Sequence, residues 1–104
     1  MHVQLVTYGM AEIGEAEFAD ANGEFAAAMA TVPGLLAKVW LKKPDESAYG
    51  GLYLWRNRED YEAFLQSELW AEVLGDASML DVTSEDFLVM EELTRVTQPG
   101  LKVL

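Results

Sequence analysis

The sequence predicts an α+β domain: a four-stranded antiparallel sheet with two helices on one face. Three observations carry this. Short runs alternate apolar and other residues with period two. Two longer stretches repeat apolar residues every three or four positions. The two middle runs are separated by a single turn, the signature of a hairpin. At 104 residues the chain makes one domain, residues 1–104.

The first strand is predicted from His2 to Tyr8, where Val3 and Leu5 mix with Gln4 and Thr7. Gly9 to Gly14 connect it to a helix from Glu15 to about Thr31. Phe18, Ala21, Phe25, Met29 and Val32 form that helix's apolar stripe, and Glu17, Asp20 and Glu24 lie on its wet side. Gly23 costs ~1 kcal/mol relative to Ala in such a position, and Pro33-Gly34 stops the helix.

Leu35 to Lys43 reads as the second strand, with Leu35, Ala37, Val39 and Leu41 on one face and Leu36, Lys38, Trp40 and Lys42 on the other. Pro44-Asp45-Glu46-Ser47 has turn chemistry. The third strand, Tyr49 to Arg56, sets Tyr49, Gly51, Tyr53 and Trp55 against Leu52 and Leu54. Its paired glycines, Gly50 and Gly51, suggest a bulge or a close approach to the backbone. Asn57 is a candidate N-cap for one helix ending at Gly75-Asp76, with Tyr61, Phe64, Leu65, Leu69, Val73 and Leu74 in its buried stripe. A polar connector precedes a final strand predicted from Phe87 to about Leu93, and Pro99-Gly100 begins a tail.

The order β-α-β-β-α-β is the ferredoxin-like arrangement. Both faces of the second and third strands carry apolar bulk, and a small protein rarely leaves several hundred Å² of apolar surface bare. The helix-free face is therefore expected to be covered by a second copy of the chain, as a homodimer. Periodicity alone leaves open which face carries Trp40, Tyr53 and Trp55.

Composition narrows the function. Eighteen Asp and Glu against seven Lys and Arg give a net charge of −11, which repels phosphate backbones and speaks against nucleic acid as a partner. The absence of Cys removes disulfides, thiolate metal sites and thiol nucleophiles. No apolar run approaches the ~20 residues of a membrane span, and Met1-His2-Val3-Gln4 lacks the flank of a signal peptide, so a cytoplasmic location without membrane attachment is expected. Neither a nucleophile elbow, a phosphate-cradling glycine loop nor a metal-ligand spacing occurs.

Val32-Pro33-Gly34-Leu35-Leu36-Ala37-Lys38-Val39-Trp40 and Gly50-Gly51-Leu52-Tyr53-Leu54-Trp55 resemble the YdhR-type monooxygenase family, within the dimeric α/β-barrel superfamily of antibiotic-biosynthesis monooxygenases and small haem-degrading monooxygenases. The close pattern covers about residues 32 to 65. The resemblance implies two sheets paired into a barrel and a ligand cavity between sheet and helices in each protomer. It further implies a cofactor-independent monooxygenase of a small phenol or quinol, with no metal, flavin or haem of its own. A cyclase or isomerase, or a ligand-binding or stress-associated dimer without turnover, are the alternatives on the same scaffold.

By that resemblance Trp55 and Tyr61 become candidate catalytic donors to a substrate oxygen, against the simpler role of core aromatics at a strand–helix corner. Trp40, Tyr53, Phe25, Phe64 and Trp70 become candidate walls for an aromatic ligand, again with packing as the simpler role. An Asn that helps to activate substrate in some relatives falls near Gly51 here. The histidine of haem-degrading relatives falls near Leu74, and Phe64 replaces an aromatic that lies over their porphyrin, which disfavours haem degradation. Among bases, His2 is the single imidazole, with Gln4 beside it on the first strand, and Glu91 and Glu92 are the alternatives on the last. Lys38, odd on a half-buried face, is expected at an edge with its ammonium reaching water.

Overall fold

A computed structural model describes residues 1–10 and 12–104. Four strands, β1 (His2–Met10), β2 (Leu35–Lys42), β3 (Tyr49–Trp55) and β4 (Met79–Leu88), form one antiparallel sheet in the order β2-β3-β1-β4. The helices are α1 (Glu15–Met29), α2 (Arg58–Leu65), α3 (Glu68–Gly75) and α4 (Glu91–Val96). The topology is the ferredoxin-like one predicted, with the second helix broken in two and a short helix added after β4. β1 runs two residues past its predicted end, to Met10, and Ala11 of the predicted connector lies outside the described residues. None of the described helices is long and apolar enough to cross a membrane.

Local chemistry explains the elements. α1 ends at Met29, short of the predicted Thr31, and the turn that follows carries Pro33 and a left-handed Gly34 (φ +81°), where a Cβ would run into the Asp60 side chain. The backbone N–H of Glu15, at the start of α1, donates to Glu46 Oε2 at 2.7 Å, so the β2–β3 turn supplies the cap that Gly14 cannot. Asn57 caps α2 by accepting from the N–H of Asp60 at 2.8 Å, as predicted. The continuous helix predicted to Gly75 is interrupted because Ser67 caps a new one, accepting from the N–H of Trp70 at 3.3 Å while donating to the Phe64 carbonyl at 2.6 Å. The break redirects the chain so that Phe64 and Trp70, six positions apart, both face the core. Leu74, predicted in the buried stripe, is exposed.

The last strand departs most from expectation. β4 occupies residues 79–88 and overlaps the predicted strand only at Phe87 and Leu88; residues 79–86 had read as connector, and Glu91 and Glu92 lie exposed in the first turn of α4 rather than on a strand. β4 is an edge strand whose helix-side positions include Ser84 and Asp86. These bond to buried polar groups of β1, so no apolar alternation marks the segment.

Cross-strand register settles the two faces. Rows Asp86–Gln4–Tyr53–Lys38 and Ser84–Val6–Gly51–Trp40 point to the helices. Rows Phe87–Val3–Leu54–Ala37 and Glu85–Leu5–Leu52–Val39 point away. A bulge between Leu35 and Ala37 moves Leu35 to the helix face, correcting its predicted partnership with Val39 and Leu41. The core lies on the helix face and is mainly aromatic: Tyr8, Phe18, Tyr49, Tyr53, Trp55, Tyr61, Phe64 and Trp70 are buried with Val6, Met29 and Val73.

Replacing Gly34 with Ala forces a left-handed alanine and displaces Asp60 from Arg56, its partner at 2.8 Å. A loss of at least ~1–2 kcal/mol is expected in urea unfolding.

Candidate functional site

On the helix side of the sheet, β1, β2 and β3 meet α1 and α3 around a cavity of about 170 Å³. Tyr8, Phe25, Trp40 and Tyr53 form its aromatic wall; Lys38, Asn22, Glu72 and Asp76 are its polar members. Trp40 and Asn22 also border a neighbouring cleft of about 280 Å³ along α1. A depression of about 420 Å³ at the hairpin end lies among Thr7, Tyr8, Lys42, Lys43, Tyr49 and Asp81.

Lys38 stands on an edge strand, as expected, and is half-buried, but its ammonium sits among rings. Its Nζ lies 3.5 Å from the Trp40 ring centroid, 4.6 Å from that of Tyr53 and 5.0 Å from that of Phe25, a three-sided cage. Gly51, opposite Trp40 on β3, leaves the space for its stem: a Cβ there would stand 2.8 Å from Lys38 Cε. Among the described residues no carboxylate lies within 4 Å of the ammonium, unlike Lys42, which pairs with Glu15 at 3.5 Å and Glu46 at 3.9 Å. Burial pushes the Lys38 ammonium down to about 7, while the three ring faces act in the opposite sense. Burial, followed by the Asp76 charge, pushes the Tyr8 phenol up to about 12, and burial raises Tyr53 further. Both phenols are therefore neutral donors at neutral pH.

The predicted site residues divide into three groups. Trp40, Tyr53 and Phe25 come together on the cavity, with Lys38. Trp55, Phe64 and Trp70 stand behind Tyr53 as packing: Trp55 lies parallel to Tyr53 with centroids 6.2 Å apart, and Phe64 is 5.1 Å from Trp55 and 5.6 Å from Trp70. Trp55 is fully buried, and its indole N–H donates to Gln4 Oε1 at 3.2 Å, so that donor is already spent. Gln4 passes the chain on by donating to Ser84 Oγ at 3.0 Å.

Tyr61 belongs elsewhere, with its ring 4.9 Å from His2. His2 is not the surface residue that its place near the start suggests. It is buried with Nε2 2.6 Å from Asp86 Oδ2, and its Nδ1 has no partner. Burial first, and then the Asp86 carboxylate, hold the Tyr61 phenol above its usual range. This cluster borders none of the three cavities above.

Sequence reasoning missed Tyr8, Asp86 and the inward course of Lys38. The clue to the last was available: a glycine pair in a strand paired with a lysine between aromatics.

Residues 4–99 match the protein family described as "Putative mono-oxygenase ydhR". The chain belongs to that family. No curated protein matches it in sequence. Solved structures share its fold. A putative antibiotic biosynthesis monooxygenase from Deinococcus radiodurans aligns with a TM-score of 0.71 at 14% identity, over 88% of this chain and 94% of that one. A variant of SnoaB, a cofactor-independent oxygenase from Streptomyces nogalater, gives 0.66 at 17% over 86% and 94%. The heme-degrader MhuD from Mycobacterium tuberculosis, with two hemes in its active site, gives 0.68 at 18% over 86% and 96%. In this ydhR-family chain Leu74, near which the resemblance put the histidine of haem-degrading relatives, is an exposed side chain of α3 without a ligating atom.

The Lys38 environment gives a pH test of the ydhR-family fold. Between pH 7 and about 10.5 the unfolded chain holds a proton on Lys38 that the folded chain releases, so stability rises with pH. Above about 10 the buried Tyr8 and Tyr53 phenols reverse the slope, because the folded chain keeps protons that the unfolded one loses. Urea midpoints at pH 6.5, 8 and 9.5 are expected to rise in the wild type and to flatten in Lys38→Met.

Proposed function

We propose that the chain is a homodimeric, cofactor-independent monooxygenase of a small phenol or quinol, bound between sheet and helices. The observation that carries the reading is the aromatic-walled cavity with few, convergent polar groups. Its 170 Å³ falls below the ~300–1,000 Å³ of sites for drug-sized ligands, which suits one ring, with a larger substrate extending past Trp40. Family membership supports the reaction class.

The chemistry asks little of the protein beyond binding, proton removal and exclusion of water. A phenol whose tautomer carries a ring CH₂ loses a proton, and the resulting anion gives one electron to O₂. Superoxide and the carbon radical combine to a peroxide anion, which takes back the proton lost in the first step; the resulting hydroperoxide eliminates water and leaves a carbonyl. One oxygen atom enters the substrate and the other leaves as water. In this scheme Trp40 and Phe25, set edge to face with centroids 6.5 Å apart, border the substrate ring on two sides, the Tyr53 and Tyr8 hydroxyls donate to its oxygen, and Trp55, Phe64 and Trp70 hold Tyr53 in place.

The homodimer is supported by the outward face of the sheet. Val39, Leu41 and Phe87 are exposed there, in rows continued by Val3, Leu5, Leu52 and Leu54. Burial of such rows at roughly 25 cal/mol per Å² is a strong drive to association.

Two measurements test the proposal. Oxygen uptake with hydroquinones, naphthols and anthrone is expected, with kcat/KM reduced at least ~10-fold in Tyr53→Phe and Trp40→Leu. Product without oxygen consumption would instead indicate an isomerase or cyclase, and binding without product a ligand-binding dimer. Sedimentation at micromolar concentration is expected to give twice the 11.6 kDa chain mass and to fall to one chain in Leu52→Arg. A compact wild-type monomer would overturn the shared interface.

A further inference from the structure

We propose that Lys38 is the catalytic base of this site: its neutral amine takes the proton from the substrate hydroxyl, and the aromatic cage receives the ammonium that results. The inference deepens the oxygenase reading above and rests on it for the class of substrate, a phenol.

Geometry supports it from several sides. The side chain is committed inward although β2 is an edge strand, where a lysine has free access to water. The absence of a Cβ at Gly51 opens the path of its stem, and the cavity wall is built on the same rings that surround the amine. Its Nζ makes no hydrogen bond or ion pair within the described residues, so its lone pair or its protons remain for a ligand. A base needs both protonation states within reach. Burial destabilises the charged one, and three ring faces at 3.5–5.0 Å compensate in part.

The titratable groups lining the cavity with the amine are Tyr8 from β1, Tyr53 from β3, Glu72 from α3 and Asp76 at the C-cap of α3; α1 contributes only the uncharged Ala21, Asn22 and Phe25. Both tyrosines stay neutral through the range in which Lys38 titrates. The Asp76 carboxylate is engaged by Ser78. The step itself balances: the O–H bond of the phenol breaks, an N–H bond forms on Lys38, and the phenolate keeps the electron pair that O₂ later draws on. None of the other candidate bases stands here. His2 is turned to Asp86, and Glu91 and Glu92 are out in solvent.

The test uses 4-nitrophenol, a phenol that ionises near neutrality with a visible band and so matches the amine in strength. At pH 6, below the range in which the free phenol ionises, the wild type is expected to bind it with the phenolate band. Lys38→Met, which keeps the stem over Gly51, is expected to bind it without that band. Binding as the neutral phenol by the wild type, or an unchanged phenolate band in Lys38→Met, would overturn the proposal. Oxygen uptake with the oxidisable phenols above supplies the second arm. The wild-type rate is expected to rise through about pH 7. In Lys38→Met and Lys38→Arg the rate is expected to fall ~10²-fold or more, with the rise moved up to the ionisation of the substrate itself. Wild-type pH dependence retained in both variants would also refute the base. Phenolate formation without oxygen uptake from any phenol would remove the oxygenase reading and leave Lys38 standing, whereas no binding of nitrophenol at all would remove both.

Discussion

Side chains of a β-strand alternate strictly between two faces, and in this protein neither face is polar. That constraint organises the molecule. The rows containing Tyr53, Trp55 and Trp40 need a cover of helices, and α1, α2 and α3 supply it with Phe18, Met29, Phe64, Trp70 and Val73. The rows containing Val39, Leu52, Leu54 and Val3 lie one residue out of phase and cannot reach that cover. A four-stranded layer has only two surfaces, so burying one within the chain leaves the other open.

Within the covered half, the aromatic layer does more than fill space. Rings are large and flat, and where they meet at strand ends and helix ends they leave gaps that aliphatic side chains would close. The gap beside Trp40 is enlarged because β3 places a glycine opposite it, and a lysine from the neighbouring row fills it in part. The result combines an apolar wall, two protonated phenols and an amine without an anionic partner, a mixture suited to an ionisable aromatic molecule. Charge elsewhere on the surface is overwhelmingly negative, with 18 acidic residues, yet Lys38 is kept out of ion pairing by its rings.

A second polar feature runs along β1. His2 and Gln4 are buried in a strand that otherwise carries core, and each bonds across the sheet to β4, His2 through Nε2 to Asp86 and Gln4 to Ser84. Gln4 in addition fixes the indole of Trp55, which stacks on Tyr53. An edge strand recruited for hydrogen bonding instead of apolar packing ties the far side of the sheet to the back wall of the cavity.

How much of this was legible in the sequence follows from these particulars. Strands β1, β2 and β3, helix α1, the hairpin and the Asn57 cap are written in local patterns, because periodicity, turn chemistry and capping act over a few residues. The choice of an α+β layer and the two-sided grease of the sheet follow from them, as does the set of aromatics from which the cavity is drawn. Only the tertiary structure decided that β4 lies at 79–88, since its polar residues make sense only opposite His2 and Gln4. Only it decided that a bulge sends Leu35 inward, that Ser67 splits the second helix, and that Trp55 spends its N–H on Gln4 while Trp40 and Tyr53 face the cavity. The direction taken by Lys38 belongs with these. Which way a long side chain turns depends on partners distant in sequence, here a glycine across the hairpin and a ring on α1, and no short-range pattern encodes them.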